Sequence, residues 1–385
     1  MTRFLTCLLA LILVPGIVQA ESPKVTLVPE SDSVKVMIGK DVFTVFHYGK
    51  DRKKPFFLPV TGPGGFELLQ AAVQNEKPGE LGRKVVVASE SVTLKKDNGT
   101  GATVHWGDLL DIAQVKGDQL QVAETGEWIS RADVAPVAAQ IVRLINDSTD
   151  NPKDLLNGER YDHVHHKGIW FAVDAIQSQE HWGEKSPIRT QHVKLEKSGT
   201  AAAELHFVNH WVDNDEQPLM VETTTVTITS DRLMIYDTVL TPALDKLHIG
   251  DTKEGMLAIR LTGSMYERAG GGPVTSAEGG ETTAQLWGKP SRWLNYDGPI
   301  DGHVFGVAMM DAPRNPWPSR YHVRNYGLFS LNPFGAGAYT EKTPDPQPKH
   351  DRTLNKGDSL HFKFGLWIHG ANVTPEQVEA MYQKL

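Results

Sequence analysis

Three histidines, an acid and a lysine crowd into the run Tyr161-Asp162-His163-Val164-His165-His166-Lys167-Gly168-Ile169-Trp170-Phe171. Imidazole titrates near neutral pH and is the commonest metal ligand, so a group this dense marks proton transfer, ligand binding or metal binding. It leads straight into an apolar, aromatic run, which reads as a polar site mounted on a core strand. In a strand successive side chains alternate, which puts His163 and His165 on one face and His166 on the other. Three readings stay open. One of the imidazoles acts as general acid or base, or contacts substrate. Or His163 and His165 chelate a metal whose third ligand comes from elsewhere. Or all three are hydrogen-bonded structural residues. Gly168 lets the backbone come close to a neighbour or ligand.

Further candidates lie downstream. In His181-Trp182-Gly183-Glu184, Trp182 and Glu184 fit a sugar platform, since an aromatic face stacks on the apolar face of a sugar and a carboxylate accepts hydroxyl protons. The alternative is a tryptophan that covers the edge of a core. Lys253 and Glu254, just before the apolar strand 256–261, could be a base with its orienting cation, or a surface pair of little consequence. Arg260 sits inside that strand, and a buried arginine needs a polar or anionic partner. Arg320, His322 and Arg324 share one strand face by spacing. They form either a solvated face or a binding wall for a uronic, phosphorylated or otherwise oxygen-rich ligand. The segment runs on to Asn332-Pro333-Phe334-Gly335, and Asn332 joins the binding candidates.

The elements that must carry these residues are strands. Short β-branched runs separated by turn residues begin at Val25, and residues 221–229 alternate as Val-Glu-Thr-Thr-Thr-Val-Thr-Ile-Thr. Alternation with one apolar face is what a large antiparallel sandwich needs. The persuasive helix is the last, where Thr374 caps, Pro375 takes the first position, Gln377 completes a capping box, and Val378, Met381 and Tyr382 form the apolar face. Residues 54–65 read as a structured loop rich in proline and glycine.

Composition narrows the classes. Of 385 residues the first twenty read as a secretory signal peptide, so the protein is expected to be exported, periplasmic or extracellular. The single cysteine, Cys7, lies inside that leader, which leaves no disulfide, thiolate site or cysteine nucleophile beyond it. A net charge of −8 without a basic block argues against nucleic acid as a partner. No stretch is long and apolar enough for a membrane-spanning helix. No dinucleotide fingerprint or phosphate loop appears, and no cofactor can be named from the sequence.

Residues 81–152 change character, with short strands, tight turns and one expected helix over 137–145. Gly107-Asp108-Leu109-Leu110, Gly126-Glu127-Trp128-Ile129 and Asp133-Val134-Ala135-Pro136 resemble the bacterial SH3-like domain, which implies a small β-barrel inserted into a larger domain formed by 21–80 and 153–385. Such a module binds peptide or wall polymer, or only adds packing. Taken together, Gly62-Pro63-Gly64-Gly65, the histidine run, Trp182-Gly183-Glu184, Gly250-Asp251-Thr252-Lys253-Glu254-Gly255, Trp287-Gly288-Lys289, and Arg324-Asn325-Tyr326-Gly327-Leu328 to Asn332-Pro333-Phe334-Gly335 resemble the bacterial "methane oxygenase PmoA-like" family of unknown function. His166-Lys167-Gly168-Ile169-Trp170-Phe171 is also similar to the His-Gly block of galactose-mutarotase-like supersandwich proteins. That second resemblance implies a histidine acid and a carboxylate base acting on a sugar ring oxygen and hydroxyl. It leaves His163, His165 and His166 as acid candidates, and Glu254 and Glu184 as base candidates. The function expected is an exported carbohydrate-active protein using acid–base chemistry of the epimerase, lyase or hydrolase type. The alternatives are a non-catalytic glycan- or wall-binding protein and a His-ligated metal enzyme.

Overall fold

The computed structural model describes residues 22–69, 84–96, 99–105, 108–136, 163, 165–269, 271–371 and 373–385. The expected leader, the expected helix 137–145 and both ends of the expected insertion lie outside the described residues.

The described chain is mainly β and its sheets are antiparallel, as the alternation requires. Two 8-stranded sheets carry most of it. Their inner faces share one apolar core, in which Phe46 stacks on Phe207 at 4.7 Å and Phe57 meets Tyr236 at 6.0 Å. The strand Pro218–Thr229 shows how the pattern works, since Glu222, Thr224, Val226 and Ile228 alternate inward. Glu222 is buried there only because Trp211 Nε1, Asn209 Nδ2 and Thr224 Oγ1 donate to it at 2.9, 3.1 and 2.8 Å. The C-terminal helix Pro375–Tyr382 starts as expected, with both capping-box bonds present. Its Val378 and Tyr382 pack with Trp293 and Trp367 in a separate apolar cluster.

The described residues between 84 and 136 form a 7-stranded sheet around their own apolar cluster, which includes Val85, Leu94, Leu120 and Ile129. A further 4-stranded sheet joins Gln179–Glu180, Asp174–Ile176, Lys246–Ile249 and Arg352–Asn355.

One end of the first large sheet positions the candidate residues. There the strands Phe56–Val60, Ile169–Phe171, Leu257–Arg260, Leu328–Asn332 and Arg320–Val323 lie side by side, so 56–60, expected as part of a loop, is an inner strand of the sheet. Pleating sends Ile169, Phe171, Ile259 and Phe329 toward the second sheet, where Phe171 meets Trp211 and Phe364. The intervening residues point the other way. Trp170, Ala258, Ser330 and His322 are paired in a row across that outer face. Arg260 and Arg324, two positions on, continue it. Ala258 and Ser330 are small, so the middle of the row is low and leaves room for a loop to lie on it.

Candidate functional site

The histidine run does not begin a strand. The strand starts at Ile169, and His163 and His165 belong to a turn closed by the His166 amide on the His163 carbonyl at 2.9 Å. Gly168 sits at φ +60° with the Phe57 carbonyl 2.0 Å from where a Cβ would stand, so only glycine lets the turn pass that close. The expected split of His166 from His163 and His165 is therefore wrong, because alternation applies only to extended backbone. The rings gather instead. His163 stacks on His166 at 4.5 Å, His165 meets His166 edge-on at 4.6 Å, and His166 stacks on Trp170 at 5.1 Å.

Arg260 is fully buried, as a strand arginine with a polar partner should be. Its Nη1 lies 3.1 Å from His166 Nδ1 and its Nε donates to the Tyr266 hydroxyl at 3.1 Å. A guanidinium only donates, so Nδ1 of His166 accepts and the imidazole carries its proton on Nε2. Burial, with His165 and Arg260 beside it, holds His166 well below the usual histidine range. Burial and the nearby Lys54 bring His165 down to about 4. The guanidinium of Arg260 also lies over the Tyr326 ring at 4.7 Å, and His163 stacks on that ring at 5.8 Å.

The loop 251–255 lies on the low part of the row and is held by its backbone. Asn332 Nδ2 donates to the Thr252 carbonyl at 2.7 Å, Tyr339 Oη to the Lys253 carbonyl at 2.7 Å, and Ser330 Oγ to the Gly255 carbonyl at 3.1 Å. His322 Nδ1 adds a bond to the Lys253 carbonyl at 3.3 Å. The Asp251 carboxylate takes the amides of Gly337, Ala338 and His350. What remains is the carboxylate of Glu254. It makes no hydrogen bond among the described residues, and its side chain is 38% exposed with Oε2 3.9 Å from His322 Nδ1. Burial raises its pKa above the ordinary glutamate value, against the pull of Lys253, Arg324 and His163.

On the far side, Arg324 Nε donates to His322 Nε2 at 3.0 Å, and its guanidinium covers the Trp287 ring at 5.1 Å. With Nε2 accepting, His322 carries its proton on Nδ1, and burial with Arg324 nearby brings its pKa down to about 3. Neutral imidazole, carboxylate and guanidinium thus meet around Glu254. His163 is within electrostatic reach of both Glu254 and His322.

The structure assigns other roles to three of the expected binding residues. Trp182 is 1% exposed, packed edge-on against Trp170 at 5.0 Å, so it cannot serve as a sugar platform. Asn332 is fully buried, with its oxygen taken by the Phe334 amide at 2.8 Å and its nitrogen by Thr252, and it shapes the site from below. Glu184 is held by Lys54 at 3.0 Å and Lys167 at 2.7 Å and serves as a tie. Lys54 went unrecognised in the sequence. It is fully buried, donates to the carbonyls of His165 and Trp182 at 2.8 and 3.1 Å, and burial brings its pKa down to about 8. Its partners lie more than a hundred positions away, so nothing local marks it. Among the described residues no group of three or more His, Cys, Asp or Glu side chains could hold a metal ion. The pair His163 and His165 gains no third ligand from them.

A family model described as a family of unknown function (DUF6807) matches residues 148–383, more than half of the chain. No curated protein matches. Among solved structures, a putative aldose 1-epimerase from Klebsiella pneumoniae aligns at 11% identity with a TM-score of 0.30, over 54% of this chain. The aligned part spans only 60% of that protein. Galactose 1-epimerase from Lactobacillus acidophilus aligns at 8% identity and a TM-score of 0.32, over 91% of this chain and 100% of that one. An aldose epimerase homologue from C. elegans aligns at 7% identity and a TM-score of 0.29, over 90% of this chain and 99% of that one.

Proposed function

We propose for this chain, which belongs to the DUF6807 family, a function in acid–base chemistry on a carbohydrate, with Glu254 as the proton-accepting group. The observation that carries the reading is the loop 251–255. Four side chains fix the carbonyls of Thr252, Lys253 and Gly255, and the one carboxylate they present is left without a hydrogen bond among the described residues. Holding one group this firmly while leaving its functional atoms open is what a catalytic constellation needs. A raised pKa suits a carboxylate that must both take and return a proton.

We take His163 as its partner. His166 has Nδ1 committed to Arg260 and is buried, and burial with Lys54 nearby brings His165 down to about 4. His163 is partly exposed and within electrostatic reach of Glu254. In the step we envisage, Glu254 takes a proton from a sugar hydroxyl while His163 gives one to the ring oxygen. The ring C–O bond breaks as the carbonyl forms, and reversal on either face closes the ring again. Arg324 and Lys253 supply positive charge where oxygen becomes negative. Tyr326 and Trp287 offer aromatic surface beside these polar groups, which suits a ligand with C–H faces and hydroxyls.

The test is exchange of anomers and epimers, followed by NMR, across a panel of neutral and acidic sugars. Acceleration of at least one sugar above the buffer rate is expected. Binding without acceleration across the panel would leave a glycan-binding protein and overturn the catalytic reading.

A further inference from the structure

A cleft of about 310 Å³ opens behind the candidate site, between the 287–290 turn, Arg320, the helix Ala336–Thr340 and residues 343–347. Two aromatic rings separate it from Glu254 and its neighbours. Trp287 and Tyr339 line the cleft, and the same two rings pack edge-on against His322 at 6.3 and 5.9 Å. Trp287 thus borders both the cleft and the His322–Arg324 side of the candidate site.

Arg320 is the group that gives the cleft its chemistry. It is partly exposed, and its Nη1 donates to the Gly288 carbonyl at 2.7 Å. That bond orients the guanidinium and leaves Nη2 and Nε without a hydrogen bond among the described residues. Arg320 forms no ion pair among them either. Two acids lie near: both oxygens of Asp251 accept backbone amides, and Asp345, on the cleft rim, accepts from Gln347 Nε2 at 3.1 Å, but neither pairs with Arg320. Lys289 adds a second positive charge on the rim. The indole N–H of Trp287 is buried and has no hydrogen-bond partner among the described residues. A half-buried guanidinium with a free edge matches a planar carboxylate, which it can grip through two parallel bonds.

We propose that this cleft is a second subsite, for a sugar unit bearing a carboxylate, with Arg320 as the residue that reads the acid. The inference rests on the carbohydrate reading of the Glu254 site and names the class of substrate: an acidic oligosaccharide with a uronate next to the reacting unit.

The test uses the full chain and two small probes, methyl β-glucuronide and methyl β-glucoside. The readout is the Trp287 indole N–H signal in a ¹H–¹⁵N spectrum, assigned by its loss in Trp287→Phe. The glucuronide is expected to shift this signal and to saturate at a concentration at least tenfold below that of the glucoside. Arg320→Gln should remove the preference, and Arg320→Lys should keep part of it. Glu254→Gln should leave it unchanged, so a failure of the catalytic reading is told apart from a failure here. Equal response to the two probes, an unaltered preference in Arg320→Gln, or an equally strong shift with inorganic phosphate would overturn the assignment.

Discussion

With Nδ1 accepting from Arg260, His166 should stay a neutral imidazole from pH 8 down to pH 5. An arginine within the apolar strand implied a buried polar partner, and one is present: Arg260 fixes Nδ1 of His166 as an acceptor. The sequence could not show that His163, His165 and His166 would gather, because the distinction between a turn and a strand start rests on Gly168 and the carbonyl of Phe57 opposite it. The same limit misplaced Trp182, since a tryptophan beside a glutamate looks alike whether it faces solvent or the core. The ¹⁵N shifts of His166 should therefore stay those of a neutral Nε2–H ring from pH 8 down to pH 5. A titration step near the ordinary histidine value, about 6.5, would contradict the assigned tautomer.

Among the elements, the loop 251–255 and the histidine turn are both held by side chains distant in sequence. The strand beneath them was legible from its apolar run. The clamps were not, because Lys54, Asn332, Ser330 and Tyr339 act through carbonyls that only the fold brings near. Lys54 is the most exacting of these. Its buried ammonium donates to the carbonyls of His165 and Trp182 and forms an ion pair with Glu184. Removing one member of a buried pair leaves its partner underpaired. Lys54→Met should therefore cost about 3 kcal/mol in urea unfolding. It should also change the ring-current shifts of the histidine turn. A loss under about 1 kcal/mol would show that the clamp is dispensable.

At the scale of the molecule, alternation gave the antiparallel sheets and the capping box gave the final helix, since both are local patterns. Which face of the first sheet bears the site follows from pairing register, and register is set by contacts between distant strands. Burial across these sheets also shapes the response to acid. His181 is fully buried, with Nε2 on the Val212 carbonyl at 2.9 Å, and burial brings its pKa down to about 4. A histidine depressed in the folded state favours folding above its unfolded pKa of about 6.5 and loses that contribution as pH falls toward 4. The loss amounts to roughly 3 kcal/mol. Asp174, Asp297 and Asp311, each raised to about 6 by burial, act in the opposite sense over an overlapping range. The variant His181→Phe isolates the histidine. Measured by urea unfolding, it should lose less stability than the parent between pH 7.5 and 4.5. Parallel losses would contradict the account.

The most direct test of the central claim is turnover by Glu254→Gln on whichever sugar the parent accelerates, with binding of that sugar measured in the same sample. Removing a general base typically costs 10²–10⁴-fold in rate. We expect a loss of at least about 100-fold with affinity retained within a few-fold, and a parent profile whose rate rises with pH through a value above the ordinary glutamate range. Turnover by Glu254→Gln within a few-fold of the parent would remove Glu254 from the chemistry and contradict the account.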